Sequence, residues 1–234
     1  MDIDPGSMVV AALARHRRSV GQQRTTLPLY ILLIGSFVIA VVDWLSVASG
    51  HSKVEAIAKP LVIVPLIVAV IGAAPDPDAI RWLVAAGLAA GMVGDILLLP
   101  RFDQFIGGLG AFLVGHLLYI AAFVAVGTAA PALVAGIAIG SAILWGIGRP
   151  IVDGVAGSKL AIPVAAYIAT IGVMIITGVG TAVWLIAGGA VLFALSDGLL
   201  GTDRFVTPRP DRRVWVHVTY QVAQISIAAG VIRL

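Results

Sequence analysis

Cysteine is absent from the chain, which removes disulfide frameworks, thiolate nucleophiles and cysteine-based metal sites together. Charge is scarce as well. Asp, Glu, Lys and Arg make up 12% of the 234 residues, against about 25% in a soluble domain. The four histidines, His16, His51, His116 and His217, stand far apart, with neither an HExxH nor an HxxxH pair to hold zinc. The formal charge of +3 and pI near 9.6 rest on so few side chains that they point to no nucleic-acid partner. What fills the chain is apolar: 60% of its residues are hydrophobic and the mean hydropathy is +1.06. That is the composition of an all-α integral membrane protein that crosses the bilayer several times.

Met1 to Ser7 reads as an appended leader with Met8 as the native start. Residues 8–26 carry Arg15, Arg17, Arg18 and Arg24 without an apolar core long enough for a signal peptide, and read as a basic arm at the headgroups. Residues 1–26 therefore form leader and arm, and residues 27–234 a single transmembrane domain. Since a span needs about 20 mostly apolar residues, that domain reads as a polytopic bundle of eight transmembrane helices. The spans are Leu27–Val47, Val54–Gly72, Ile80–Leu99, Phe105–Gly127, Pro131–Ile147, Leu160–Gly178, Ala182–Leu200 and Val214–Ile232. Gly87 with Gly91, and Gly136 with Gly140, have the spacing that lets helix backbones approach closely in lipid. Lys59 and Lys159 open spans two and six, and Asp95 and Asp197 close spans three and seven. Both offsets are close to one hundred residues, which suggests a 4+4 parallel repeat.

Ionisable groups at membrane depth are costly and by default functional. Alternate spans run in opposite directions, so Asp43, Asp95 and Asp197, near the ends of spans one, three and seven, approach one membrane face. Lys59, Tyr220 and Gln224 leave that face in spans two and eight, and His116 follows about three turns into span four. Phe112, His116, Tyr119 and Phe123 share one helical stripe. Asp43, beside Trp44, reads as an interfacial residue. Lys59 can snorkel, and Tyr119, Tyr220 and Gln224 can serve as interhelical hydrogen-bond glue. Asp95 and Asp197 have no such bland role, because a carboxylate gains nothing in a span unless something pairs or uses it.

Lys59-Pro60-Leu61, Gly94-Asp95 with Leu97 to Pro100, and Gly110-Ala111-Phe112 through His116-Leu117-Leu118-Tyr119 form a set with Leu192-Phe193, Ser196-Asp197, and Tyr220 with Gln224. This set resembles the YhhN-like family of membrane proteins, which includes the lysoplasmalogenases. The likeness covers spans two to eight; the N-terminal arm and the basic loop Thr207 to Arg213 fall outside it. It implies eight helices; the Ala-, Val- and Gly-rich composition hints at a bacterial source and so at a bacterial inner membrane. The likeness also implies hydrolysis of the lysoplasmalogen vinyl ether to a fatty aldehyde and glycerophosphoethanolamine or glycerophosphocholine. The partners are then a lysophospholipid substrate and membrane lipid, and the reaction requires no metal or organic cofactor.

Vinyl ether hydrolysis starts with proton transfer to the carbon β to oxygen, followed by capture of the oxocarbenium ion by water and collapse of the hemiacetal. Two carboxylates in different environments supply acid, stabilising charge and base, as in glycosidases. Asp197 is expected as the acid and Asp95 as the ionised partner, beside His116. Tyr119, Tyr220 and Gln224 would orient the carboxylates or the glycerol hydroxyl, and Lys59 would hold the phosphate as a point charge. The alternative is a transporter or lipid-handling protein using the buried Asp, His and Lys as a proton or headgroup relay. A retinal-type pigment is excluded, because the last three spans have only Lys159, at the very start of span six.

Overall fold

The computed structural model describes the backbone of residues 5–234 and the side chains of residues 27–234. Residues 1–4 of the expected leader, and the side chains of the basic arm, lie outside the described residues. Every regular element described is helical. Among the described residues, seven stretches are long and apolar enough to cross a membrane: Leu27–Ala48, Ser52–Gly72, Ala79–Leu97, Phe105–Val126, Ala130–Gly154, Ala161–Gly180 and Trp184–Phe205. The chain is a multi-pass integral membrane protein.

Helix α1 (Pro5–Ala48) carries the first stretch. The second, expected as one helix, is two: α2 (Ser52–Leu61) and α3 (Ile63–Gly72), parted at Val62. Pro65 has no N–H to offer the Leu61 carbonyl, so the ladder fails there. The Ser36 hydroxyl of α1 donates to the Val62 carbonyl at 2.7 Å, tying the break to the first helix. The third and fourth stretches are α4 (Ala79–Leu97) and α5 (Phe105–Val126). The fifth runs past its expected end. Helix α6 (Ala130–Ile143) widens into a π-turn at Leu144–Gly148 and continues as α7 (Arg149–Gly154). Helices α8 (Ala161–Gly180) and α9 (Trp184–Phe205) are unbroken. The last helix, α10 (Arg213–Ile232), is 20 residues long, yet it is not among the seven apolar stretches. It carries His217, Tyr220, Gln221 and Gln224, all buried, and their polarity offsets its apolar residues. The described residues thus give seven apolar spans and one polar-loaded helix where eight apolar spans were expected.

The bundle is apolar outside and polar within. Leu27, Ile34, Leu45 and Ile162 are exposed, while Asp43, Glu55, Lys59, Asp95, His116 and His217 are buried. Lipid solvates the first group; only protein partners can satisfy the second. Exposed Trp82, Trp184 and Trp215 stand at helix starts, where their amphipathic rings suit the headgroup level. Helix α4 pairs with α5, and α9 with α10, more extensively than any other helices, and α6 lies on α8. Gly136 permits that last contact: a Cβ there would lie 2.8 Å from the Ile176 carbonyl oxygen. Gly87 does the same for α4 and α5, since its Cβ would meet the Tyr119 ring at 2.7 Å.

Candidate active site

Two helix pairs and the broken second span bring the expected residues around one space. Asp95 lies near the end of α4, 1% exposed, with the Lys59 ammonium of α2 at 3.4 Å. Lys59 and the Tyr220 hydroxyl face this carboxylate, but no donor stands in hydrogen-bond geometry to either oxygen. Tyr220 is tied in turn. The Tyr119 hydroxyl donates to Gln224 Oε1, and Gln224 Nε2 donates to the Tyr220 oxygen at 3.1 Å. That polarity leaves the Tyr220 proton free to point at Asp95. Gly91 makes the approach possible, since its Cβ would stand 2.9 Å from the Tyr220 oxygen. Tyr119, Tyr220 and Gln224 therefore form one directed chain.

Asp197, on α9, has different neighbours. Its Oδ2 accepts from the Tyr167 hydroxyl of α8 at 2.8 Å and lies 3.4 Å from His116 Nε2. His116, expected beside Asp95, thus sits beside Asp197. The reason is helix pairing: α5 meets both α4 and α8, and the His116 face turns toward α8. The imidazole has no solvent exposure, packs edge-on against Phe193 at 4.6 Å and Tyr167 at 5.3 Å, and leaves both nitrogens without a hydrogen bond. Asp95 therefore has a cation for a neighbour, and Asp197 has a phenol, an imidazole and aromatic rings.

A third polar group was missed. Asp43 is not interfacial but wholly buried. Its Oδ2 bonds His217 Nδ1 and accepts from Gln221 Nε2, both at 2.7 Å. Glu55 joins the same region: its carboxylate pairs with Arg213 at 2.5 Å and lies 4.0 Å from His217 Nε2. Tyr167 was missed too, since an aromatic residue in a span signals nothing by itself. Buried Asp43 and Glu55 fall under the same cost that flagged Asp95, and that cost was the available signal.

Of these groups Glu55, Lys59, Asp95, Asp197, His217 and Tyr220 line a cavity of about 380 Å³, whereas the expected His116, Tyr119 and Gln224 are not on its wall. Arg204, Arg212 and Arg213 lie on it too, and the exposure of Arg204 and Arg213 marks its open end. A second, narrow cavity is almost wholly apolar, walled by Leu109, Ile147, Ile168 and Ile171 among others. The two share Leu98, Phe105, Phe112, Asp197 and Leu200. Asp197 is the one carboxylate at the junction. The π-turn contributes Leu144, Ile147 and Gly148 to the apolar wall, a use of irregular helix that recurs at functional sites. Among the described residues no three His, Asp or Glu side chains converge as a metal site. A polar and an apolar space thus meet at Asp197.

The family model described as "YhhN family" matches residues 54–231. A protein of Mycobacterium bovis named lysoplasmalogenase is 32% identical over 197 residues, covering 78% of this chain and 72% of its own. The human lysoplasmalogenase TMEM86B is 33% identical over 155 residues, 64% of each chain. A membrane protein of Escherichia coli O6:H1 named YhhN is 39% identical over 92 residues, 37% of this chain and 43% of its own. No solved structure matches the chain.

Proposed function

The chain belongs to the YhhN family, and on that premise we propose that it is a membrane-embedded lysoplasmalogenase. It would cleave the vinyl ether of a lysoplasmalogen to a fatty aldehyde and a glycerophospho-ethanolamine or -choline, in a bacterial inner membrane. The observation that carries this reading is the meeting of a polar and an apolar cavity at Asp197, with Asp95 on the polar wall. The alkenyl chain would lie in the apolar slot and the headgroup in the polar cavity, its phosphate toward Lys59 and the arginines at the open end. The bond that must react is the link between them.

Asp197, in acid form, would give its proton to the β carbon. The Tyr167 hydroxyl holds it in place, with His116 beside it at 3.4 Å. Asp95, ionised against Lys59, would stabilise the oxocarbenium ion and orient water, as one of two carboxylates does in glycosidases. Tyr119, Gln224 and Tyr220 would fix Asp95 as a positioning chain. We read α10 as the eighth span. Its packing against α9, α1, α3 and α4 gives its polar face the partners that lipid lacks. The 4+4 repeat finds support in the matching intimacy of α4 with α5 and α9 with α10, whereas α8 lacks the break of its counterpart α2–α3.

Aldehyde release from lysoplasmenylethanolamine by the purified protein in detergent tests the proposal. We expect turnover by wild type and none by folded Asp95→Asn or Asp197→Asn. A folded, monodisperse wild type without aldehyde release, but with substrate uptake in sealed vesicles, would favour the transporter.

A further inference from the structure

We infer that His217, held by Asp43, is a further catalytic residue: the base that takes a proton from the attacking water and returns it to the departing glycerol oxygen. This role rests on the hydrolase reading above. Asp43 has no solvent exposure and His217 is 4% exposed. Asp43 Oδ2 lies 2.7 Å from both His217 Nδ1 and Gln221 Nε2. Gln221 Nε2 can only donate, so Oδ2 accepts there; accepting from Nδ1 as well, it leaves the ring hydrogen on Nδ1. Nε2 is left with the lone pair. A buried aspartate prepares a histidine as base in just this manner, by fixing tautomer and ring orientation together.

The ring also shares a cavity with both catalytic carboxylates. His217 lines the polar cavity and Asp43 stands behind it. The nearest anionic oxygen to Nε2 is Glu55 Oε1 at 4.0 Å, beyond hydrogen-bond length and already paired with Arg213. Nε2 is therefore open to a water molecule in the cavity that also holds Asp95 and Asp197.

With this base the reaction balances. Asp197 gives its proton to the β carbon. The water oxygen bonds to the cationic carbon while one water proton passes to Nε2, giving the hemiacetal. The hemiacetal hydroxyl then returns its proton to Asp197 as the carbonyl forms. The carbon–oxygen bond to glycerol breaks, and that oxygen takes the proton from Nε2. One water is consumed and both groups end as they began. Asp95 stays ionised throughout.

The test is chemical rescue of His217→Ala in detergent, read as aldehyde release from lysoplasmenylethanolamine. We expect kcat to fall by about 10²–10⁴-fold, the usual contribution of a positioned base, with KM little changed. Added imidazole restores turnover saturably; pyrrole, the same ring without a basic nitrogen, does not. Asp43→Asn lowers kcat in the same direction and imidazole leaves it low, because the native ring is present but misheld. Rescue by pyrrole equal to that by imidazole would reduce His217 to a space-filler, and a folded His217→Ala variant with near wild-type kcat would remove the role altogether. If the alanine variant does not stay monodisperse, His217→Gln, which keeps a donor toward Asp43 but no base, is read on kcat by the same criterion. A wild type that releases no aldehyde overturns the substrate reading, and this role with it, before any variant is compared.

Discussion

Replacing Lys59 by Met removes the counter-charge of a carboxylate that is 1% exposed and has no hydrogen-bond donor in place. At the observed 3.4 Å separation, two unit charges attract by about 5 kcal/mol at an effective dielectric near 20. Breaking a buried pair from one side costs about 3–5 kcal/mol, because the remaining charge keeps its desolvation penalty. Lys59→Met should therefore destabilise the protein by that amount. Asp95→Asn should cost less, since Lys59 borders the open cavity and can turn its ammonium into it. The double variant should recover most of the loss. Reversible unfolding in mixed micelles, run as a double-mutant cycle, reads these terms directly, and a coupling near 3 kcal/mol is expected, the upper end for contacting residues. Aldehyde release should be lost in all three variants, so the double variant separates stability from activity. A Lys59→Met protein as stable as wild type, or a cycle whose single effects simply add, would refute the pairing.

Gly136→Ala should destabilise by about 1–3 kcal/mol through overpacking, because its Cβ meets the backbone of Ile176 at 2.8 Å. Gly110→Ala, with nothing within 4 Å, should be neutral by the same unfolding assay. Tyr119→Phe leaves the buried Gln224 Oε1 without its donor, a loss of about 1–3 kcal/mol; kcat should fall with it as Tyr220 loosens. Ile168→Trp fills the apolar slot and should raise KM for long alkenyl chains well above that for short ones. An equal rise for all chain lengths would place the chain elsewhere.

Sequence alone reached the membrane class, seven of the eight expected spans as apolar stretches, and Lys59, Asp95, Asp197 and Tyr220 of the cavity wall, because a polar group in lipid is conspicuous for its cost. Partnerships were harder to read. Asp43 looked interfacial beside Trp44, and the residue that buries it, His217, lies 174 positions away. His116 was assigned to the wrong carboxylate for a related reason. Its helical stripe was correct, but whether that stripe faces α4 or α8 depends on how the bundle closes. Tyr167 carries no charge and so left no trace of its bond to Asp197. The break at Val62 was foreshadowed by Pro65, yet proline in a transmembrane helix is often absorbed without one.

Helix α10 has a consequence for how the protein is made. It supplies His217, Tyr220, Gln221 and Gln224, and the polarity of that load makes it the helix least able to enter lipid alone. Its insertion is favourable only against surfaces already present: Asp43 for His217 and Gln221, Tyr119 for Gln224, and Ser196, whose hydroxyl donates to the Val216 carbonyl. A helix that follows its partners along the chain is thus recruited by the helices before it. Until it docks, those helices hold a half-built cavity of unmatched polar groups, so completion of the bundle and assembly of the candidate site are a single event. A nascent chain stopped short of α10 would be both inert and exposed to quality control.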